Sequence, residues 1–182
     1  DVIHLDIRGR GRALKRAWLE SDADIVSYMD VDLSTGLDAF PELIDCIARD
    51  GFDISFGSRL MKGAHTTRGF KRTFTSRMLN ILIQLFMRTK FTDAQCGFKA
   101  ASRQAAQVLM PAIVNNYWFW DSELLIVSEL RGFRLKEIPV TWVEDTDTRV
   151  KVLRTGLEML QGIARLRLGG IPEVVPPGER VA

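Results

Sequence analysis

The chain contains only two cysteines, Cys46 and Cys96, too few for a disulfide framework and without the spacing of a metal-binding pair. Cys46 falls within a helical apolar pattern and reads as a core residue. No apolar run approaches the about 18 residues that a membrane-spanning helix needs. There is no signal-peptide pattern and no internal repeat. The sequence begins on Asp1 and passes almost at once into strand-like residues, so a fragment lacking its N-terminal part is expected. The most local absence is of acid. Between Ile54 and Thr92 there is no Asp or Glu, while Arg59, Lys62, Arg68, Lys71, Arg72, Arg77, Arg88 and Lys90 all fall there. A one-sign stretch of this kind favours phosphate groups or an anionic membrane surface, unless acids from elsewhere in the fold pair with it.

What remains is ordinary for a globular domain: 182 residues, 46% hydrophobic, 26% charged, net charge +2. That length makes one domain with a substantial core. The order of apolar patterns predicts alternating strands and helices and so an α/β fold with a mostly parallel sheet. Strands are expected at Val2–Leu5, Ile25–Met29, Asp53–Gly57 and Leu135–Trp142, the last at an edge or bulge because of Pro139. Helices are expected over Gly11–Glu20, around Phe40–Ile47 with Asp38 as N-cap and Gly51 beyond the end, over Thr73–Arg88, over Leu124–Arg131 and near Val150–Leu168. Asp93–Lys99 reads as a turn. The end, Gly169–Ala182, is rich in Pro and Gly and is expected to be disordered.

The chemistry-bearing feature is Asp30-Val31-Asp32, at the end of the apolar run Ile25–Met29 and followed by Ser34. Two carboxylates one residue apart at a strand's carboxyl end suit a hard divalent cation that takes its other ligands from phosphates. The same acids in a solvated loop would cap the next helix. Gly9-Arg10-Gly11 after a strand suggests dinucleotide binding, but Leu14 stands where the third glycine belongs. Asp30 and Asp32 also resemble the nucleophile loop of haloacid-dehalogenase-type phosphatases. Ser34 departs from that pattern, and the late acids Asp145 and Asp147 lack its glycine.

Six segments in order, from about Arg8 to Trp142, resemble the family 2 glycosyltransferases of GT-A fold, and within them the polyprenyl-phosphate (dolichol-phosphate) mannose and glucose synthases. They are Arg8–Leu14, Asp30-Val31-Asp32, Gly57-Ser58-Arg59, Asp93–Lys99, Trp120–Leu125 and Glu137–Trp142. Two departures stand out. The family's opening nucleotide-binding segment does not appear, and Ser34 stands where the mannose synthases often carry Gln.

The resemblance implies a GT-A domain over residues 1–168, lacking its first strand or strands, with an amphipathic helix at 150–168. It implies metal-dependent, inverting transfer of a hexose from a nucleotide-diphosphate sugar, GDP-mannose or UDP-glucose, to a dolichyl or undecaprenyl phosphate. Asp30, Asp32 and Ser34 would hold Mg²⁺ or Mn²⁺, with Asp30, Asp32 and Arg10 binding the donor. Arg59, Arg72 and Ser76 would bind the acceptor phosphate. Asp93 would orient the sugar or act in catalysis, or else cap its turn; Asp121 and Glu123 would supply an acid, Asp121 alternatively being a helix N-cap. Trp118 and Trp120 would flank the sugar or prenyl chain, or belong to the core. The helices at 73–88 and 150–168 would rest peripherally on a membrane, at its cytoplasmic face, or pack in the core. No nucleic-acid partner is expected. A hydroxyl acceptor, or a non-catalytic module binding lipid or sugar phosphate, remains open.

Overall fold

The computed structural model describes residues 2–67, 69–143 and 152–178. Apolar residues at alternate positions form β1 (Ile25–Met29), and a helical stripe forms α1 (Arg10–Glu20) before it. There follow α2 (Phe40–Ala48), β2 (Ile54–Ser58), β3 (His65–Thr67), α3 (Phe70–Met87), β4 (Phe98–Ser102), α4 (Arg103–Ala112), α5 (Trp120–Leu130), β5 (Leu135–Pro139), β6 (Thr141–Val143) and α6 (Val152–Gly169).

The main sheet has the order β1-β4-β2-β5, and β3 pairs with β6 in a small second sheet. β4 is antiparallel to both β1 and β2, and β2 is parallel to β5. Three of the four strands therefore point the same way, as the sequence pattern requires, with β4 reversed between them. Pro139 ends an edge strand, where its missing N–H costs no ladder bond. Beyond it Val140 accepts from His65 N at 3.1 Å, and the chain changes sheets into β6. The single strand expected over Leu135–Trp142 is thus two.

Side-chain alternation along the strands divides the core into two layers. Val26, Tyr28, Ile54, Phe56 and Ala101 join α1, α3, α4, α5 and α6 on one face. Phe98, Ala100, Ile138 and Val140 join Leu43, Cys46 and Ile47 of α2 on the other. Each fully buried large side chain contributes about 1.5–3 kcal/mol. Trp18, Tyr28 and Trp120 pack with ring centroids 5.6–6.1 Å apart. Gly11 allows α1 to approach this cluster, because a Cβ there would lie 2.6 Å from Trp120 Cβ.

Several expectations change. Val2–Leu5 is coil, with Val2 and Ile3 exposed and no strand beside them among the described residues. Asp38 lies in a 3₁₀ turn (Leu37–Ala39) and does not cap α2, whose N-cap is Ala39 with no side-chain bond. β4 and α4 went unpredicted; β4, Phe98-Lys99-Ala100-Ala101-Ser102, has no β-branched residue and a lysine in second place. Ser102 caps α4 by accepting from Ala105 N. The tail expected to be disordered is packed against the body through residue 178: Ile171 and Val174 rest on the core, and Arg131 donates to Pro172 O at 2.8 Å and to Ile171 O. Residues 179–182 and the expected helix start at Val150 lie outside the described residues. No helix among the described residues is long and apolar enough to cross a membrane.

Candidate active site

The loop after β1 is a tight turn. Asp30 N donates to Gly97 O (2.9 Å), Leu33 N returns to Asp30 O (3.0 Å), and Ser34 N donates to Asp32 Oδ1 (3.0 Å). Val31 between the two acids is 99% exposed, so the turn projects from the sheet. Its far side is tied to β6, with Val143 N on Ser34 O and Gly36 N on Thr141 O, both 2.9 Å. Ser34 is buried at this junction. Gly97 is required by close approach, since a Cβ there would fall 1.9 Å from Asp30 Oδ2.

Arg10, in the first turn of α1, joins two of the expected site acids. Its Nη2 lies 2.7 Å from Asp30 Oδ1 and its Nη1 2.7 Å from Asp121 Oδ2. The guanidinium is 5.3 Å from the Tyr28 ring centroid and 5.2 Å from that of Trp118. Asp121 is buried and is not an N-cap, because α5 begins at Trp120 and Asp121 sits inside its first turn. It also accepts from the Tyr28 hydroxyl and from Lys99 Nζ at 3.1 Å. Lys99, fully buried in β4, donates to Cys96 O at 2.5 Å.

The electrostatics follow. Burial would raise the Asp121 carboxyl, but Lys99, Arg10 and the Tyr28 hydroxyl together hold it below its ordinary value. Burial raises the Tyr28 phenol well above its usual range, and Asp121 adds to this. Asp30 is raised, first by desolvation, with Asp121 and Asp32 adding and Arg10 opposing. Burial pushes the Cys96 thiol up to about 12, so this cysteine is an inert neutral group.

A second charged pair lies on the other side of β4. Asp93 is fully buried and receives Arg59 in a two-pronged contact, Nε to Oδ2 at 2.7 Å and Nη2 to Oδ1 at 2.9 Å, together with Arg59 N at 3.1 Å. Gln95 N donates to Oδ1 at 3.2 Å. Burial opposes ionisation, but Arg59 outweighs it and holds the Asp93 carboxyl below its usual value. Glu137 of β5 fixes the turn by accepting from Thr92 N, Thr92 Oγ1 (2.6 Å) and Asp93 N (3.0 Å). Arg59 also lies 5.5 Å from the Trp142 ring centroid, and Trp142 bridges to Thr35 of the Asp30–Asp32 loop.

The remaining expected residues are placed as follows. Glu123 is fully buried and accepts from Val114 N (3.0 Å), Asn115 N (2.8 Å) and Arg165 (2.8 Å), tying a loop and α6 to α5. Ser76 is buried on α3; its carbonyl accepts from Asn80, whose Oδ1 accepts from Ala94 N in the Asp93 turn. The Arg72 side chain lies outside the described residues. Trp120 is core, whereas Trp118 is half exposed against Arg10. The structure therefore brings Arg10, Asp30 and Asp121 into one network and Arg59 and Asp93 into another. Glu123 joins neither by a direct bond. Tyr28 and Thr92 were not singled out from the sequence, and Lys99, Glu137 and Trp142 stood only as ends of matched segments, without a role. The readable signals were a lysine inside a run of buried small residues and an acid within a strand.

No group of three or more His, Cys, Asp or Glu side chains able to hold a metal ion occurs among the described residues. Asp30 and Asp32 on a projecting turn fit a cation that completes its shell with diphosphate oxygens and water, as Mg²⁺ and Mn²⁺ do.

The model of the family described as Glycosyl transferase family 2 matches residues 1–110, and the chain belongs to this family. It is 40% identical over 163 residues to glycosyltransferase AglD of Haloferax volcanii, across 89% of this chain and 26% of that protein. It is 27% identical over 170 residues to dolichyl-phosphate beta-glucosyltransferase ALG5C of Trichomonas vaginalis, across 88% of this chain and 50% of that one. The chain thus spans about a quarter to about half the length of these curated relatives. Glucosyl-3-phosphoglycerate synthase from Mycobacterium tuberculosis, solved with Mn²⁺, UDP and phosphoglyceric acid, shares the fold with a TM-score of 0.65 at 19% identity. That match covers 92% of this chain and 56% of the other. The fold is the GT-A type that the sequence motifs imply.

Proposed function

We propose that this domain transfers a hexose from a nucleotide-diphosphate sugar to a polyprenyl phosphate, with inversion at the anomeric carbon. The observation that carries the reading is the Asp30–Asp32 turn, projecting at a strand end and joined through Arg10 to buried Asp121. A cation bound by Asp30 and Asp32 would neutralise the charge gathering on the leaving diphosphate. Of the two donors the motifs allow, UDP-glucose is favoured, because several relatives carry the name dolichyl-phosphate beta-glucosyltransferase and the structurally similar synthase has been solved with UDP-glucose and Mn²⁺.

The chain's own residues supply the rest. Arg10 offers its planar fork to diphosphate oxygens. A phosphate monoester acceptor is already an anion and needs no strong base, only cations that offset its repulsion from the donor. Arg59 supplies one, oriented by Asp93, and Arg72 and Ser76 on α3 are assigned to the same phosphate. Asp93 acts here by holding Arg59 in place. Asp121 and Glu123 each hold cationic partners in the interior, which weakens the alternative of a hydroxyl acceptor deprotonated by one of them.

A membrane surface would present the lipid. Phe74, Met78, Ile81 and Leu85 recur along one exposed face of α3, and Leu157, Leu160 and Leu168 are exposed on α6, which packs against it. Arg77, Arg88 and Arg167 on or beside these helices suit an anionic headgroup layer. We assign this face to peripheral contact at the cytoplasmic side of a membrane. The test of the whole reading is transfer of label from UDP-glucose or GDP-mannose to a short polyprenyl phosphate with Mg²⁺ or Mn²⁺, beside Asp32→Ala. Cation-dependent transfer that the variant lacks is expected, and a variant as active as the parent refutes the assignment.

A further inference from the structure

Building on the reading of Asp30 and Asp32 as a cation–diphosphate site, we infer that Arg10 is an exchange gate for that site. It occupies Asp30 when no donor is bound and passes to the donor diphosphate on binding, so cation and nucleotide bind cooperatively.

The two ends of the Arg10 guanidinium are unequal. Nη1 rests on Asp121, a carboxylate 3% exposed that Lys99 and Tyr28 also hold. Nη2 rests on Asp30, whose side chain is 46% exposed. A solvent-exposed ion pair is weak, whereas breaking a buried one strands a charge. The Asp30 end is therefore the one that exchanges. Lys99 makes this workable: it gives Asp121 a second cation, so Asp121 does not require both arms of Arg10. The Tyr28 and Trp118 rings, both within cation–π reach, keep the guanidinium in contact as its free arm turns.

Asp30 also has little choice of oxygen. Its carboxylate lies against Gly97 through both oxygens, Oδ2 the nearer, and its Oδ1 is the atom held by Arg10. A cation arriving alone must compete with Arg10 for Oδ1 and then leaves that guanidinium facing a divalent charge. A diphosphate arriving with it offers paired oxygens that suit the fork. Each ligand then raises the other's affinity by the same factor, roughly fivefold to 150-fold for couplings of this kind.

The test is direct Mn²⁺ binding, read by the electron paramagnetic resonance of free Mn²⁺, with and without UDP and corrected for Mn²⁺–UDP in solution. The parent, Arg10→Gln and Arg10→Lys are compared, with circular dichroism to confirm folding. Arg10→Lys keeps a cation for buried Asp121 but cannot span both carboxylates. The gate predicts that both variants bind Mn²⁺ alone at least severalfold more tightly than the parent and lose most of the enhancement by UDP. Mn²⁺ binding that is unchanged or weaker in both variants overturns the gate, while the site reading survives if Asp32→Ala abolishes the Mn²⁺–UDP complex. Persistence of that complex in Asp32→Ala removes the site reading, and the gate with it.

Discussion

Arg59 and Asp93 meet through two nearly parallel hydrogen bonds of 2.7 and 2.9 Å in the interior, 34 residues apart in sequence. The arginine comes from the end of β2 and the acid from the turn before β4, so their pairing fixes the distance between the two segments. Only a planar, two-pronged donor makes this contact.

Asp93→Asn is expected to cost about 3–5 kcal/mol of stability, because it leaves a buried guanidinium without its counter-charge. The native carboxyl sits below its ordinary value. Its stabilising contribution is therefore complete above the usual carboxylate range and is lost as pH falls through the native value. Urea unfolding across acid pH checks both statements: the parent loses stability on acidification, and Asp93→Asn follows a flatter acid limb.

Gly97→Ala is expected to uncouple stability from cation binding. The new methyl would enter the space of the Asp30 carboxylate, which backbone contacts and Arg10 hold in place. Asp30 must leave Arg10 to make room. Calorimetric titration with Mn²⁺ and UDP is predicted to show at least tenfold weaker binding while the protein stays folded. Parent-like affinity would mean that Asp30 does not ligate the cation.

Replacing Ile81 and Leu85 with Glu should leave stability nearly unchanged, within about 0.5 kcal/mol for each exposed position. Binding to anionic vesicles should fall sharply, since each change removes apolar contact and adds charge of the wrong sign. Vesicle co-sedimentation measures this, and equal sedimentation of parent and variant would dissociate this face of α3 from the membrane.

Much of this arrangement was legible in the chain because local pattern and local function coincide. Ile25–Met29 alternates and ends in two acids, and β1 and the projecting turn lie where that pattern puts them. β4 was hidden because it is built from alanines and a lysine, and tertiary pairing on both sides supplies what its propensity lacks. The partners of each acid were hidden for a different reason. Arg10 and Asp121 are 111 positions apart, and nothing in either segment states that α1 and α5 meet. Asp121 read equally well as a helix cap until the helix was found to start at Trp120, with Phe119 as its N-cap. Glu123 lies two residues further along the same helix, yet its bonds go to the 114–115 backbone and to Arg165.

The central claim is that Asp30 and Asp32 hold a cation on a nucleotide-sugar donor for transfer to a lipid phosphate. Its most direct test is the transfer of labelled glucose from UDP-glucose to a short polyprenyl phosphate, with Mn²⁺ present or chelated, in the parent and in Asp32→Ala. The account predicts lipid-linked label that disappears with the chelator and falls at least a hundredfold in the variant, about 2.7 kcal/mol of lost transition-state stabilisation. Label that appears equally in the variant or without the cation would contradict it.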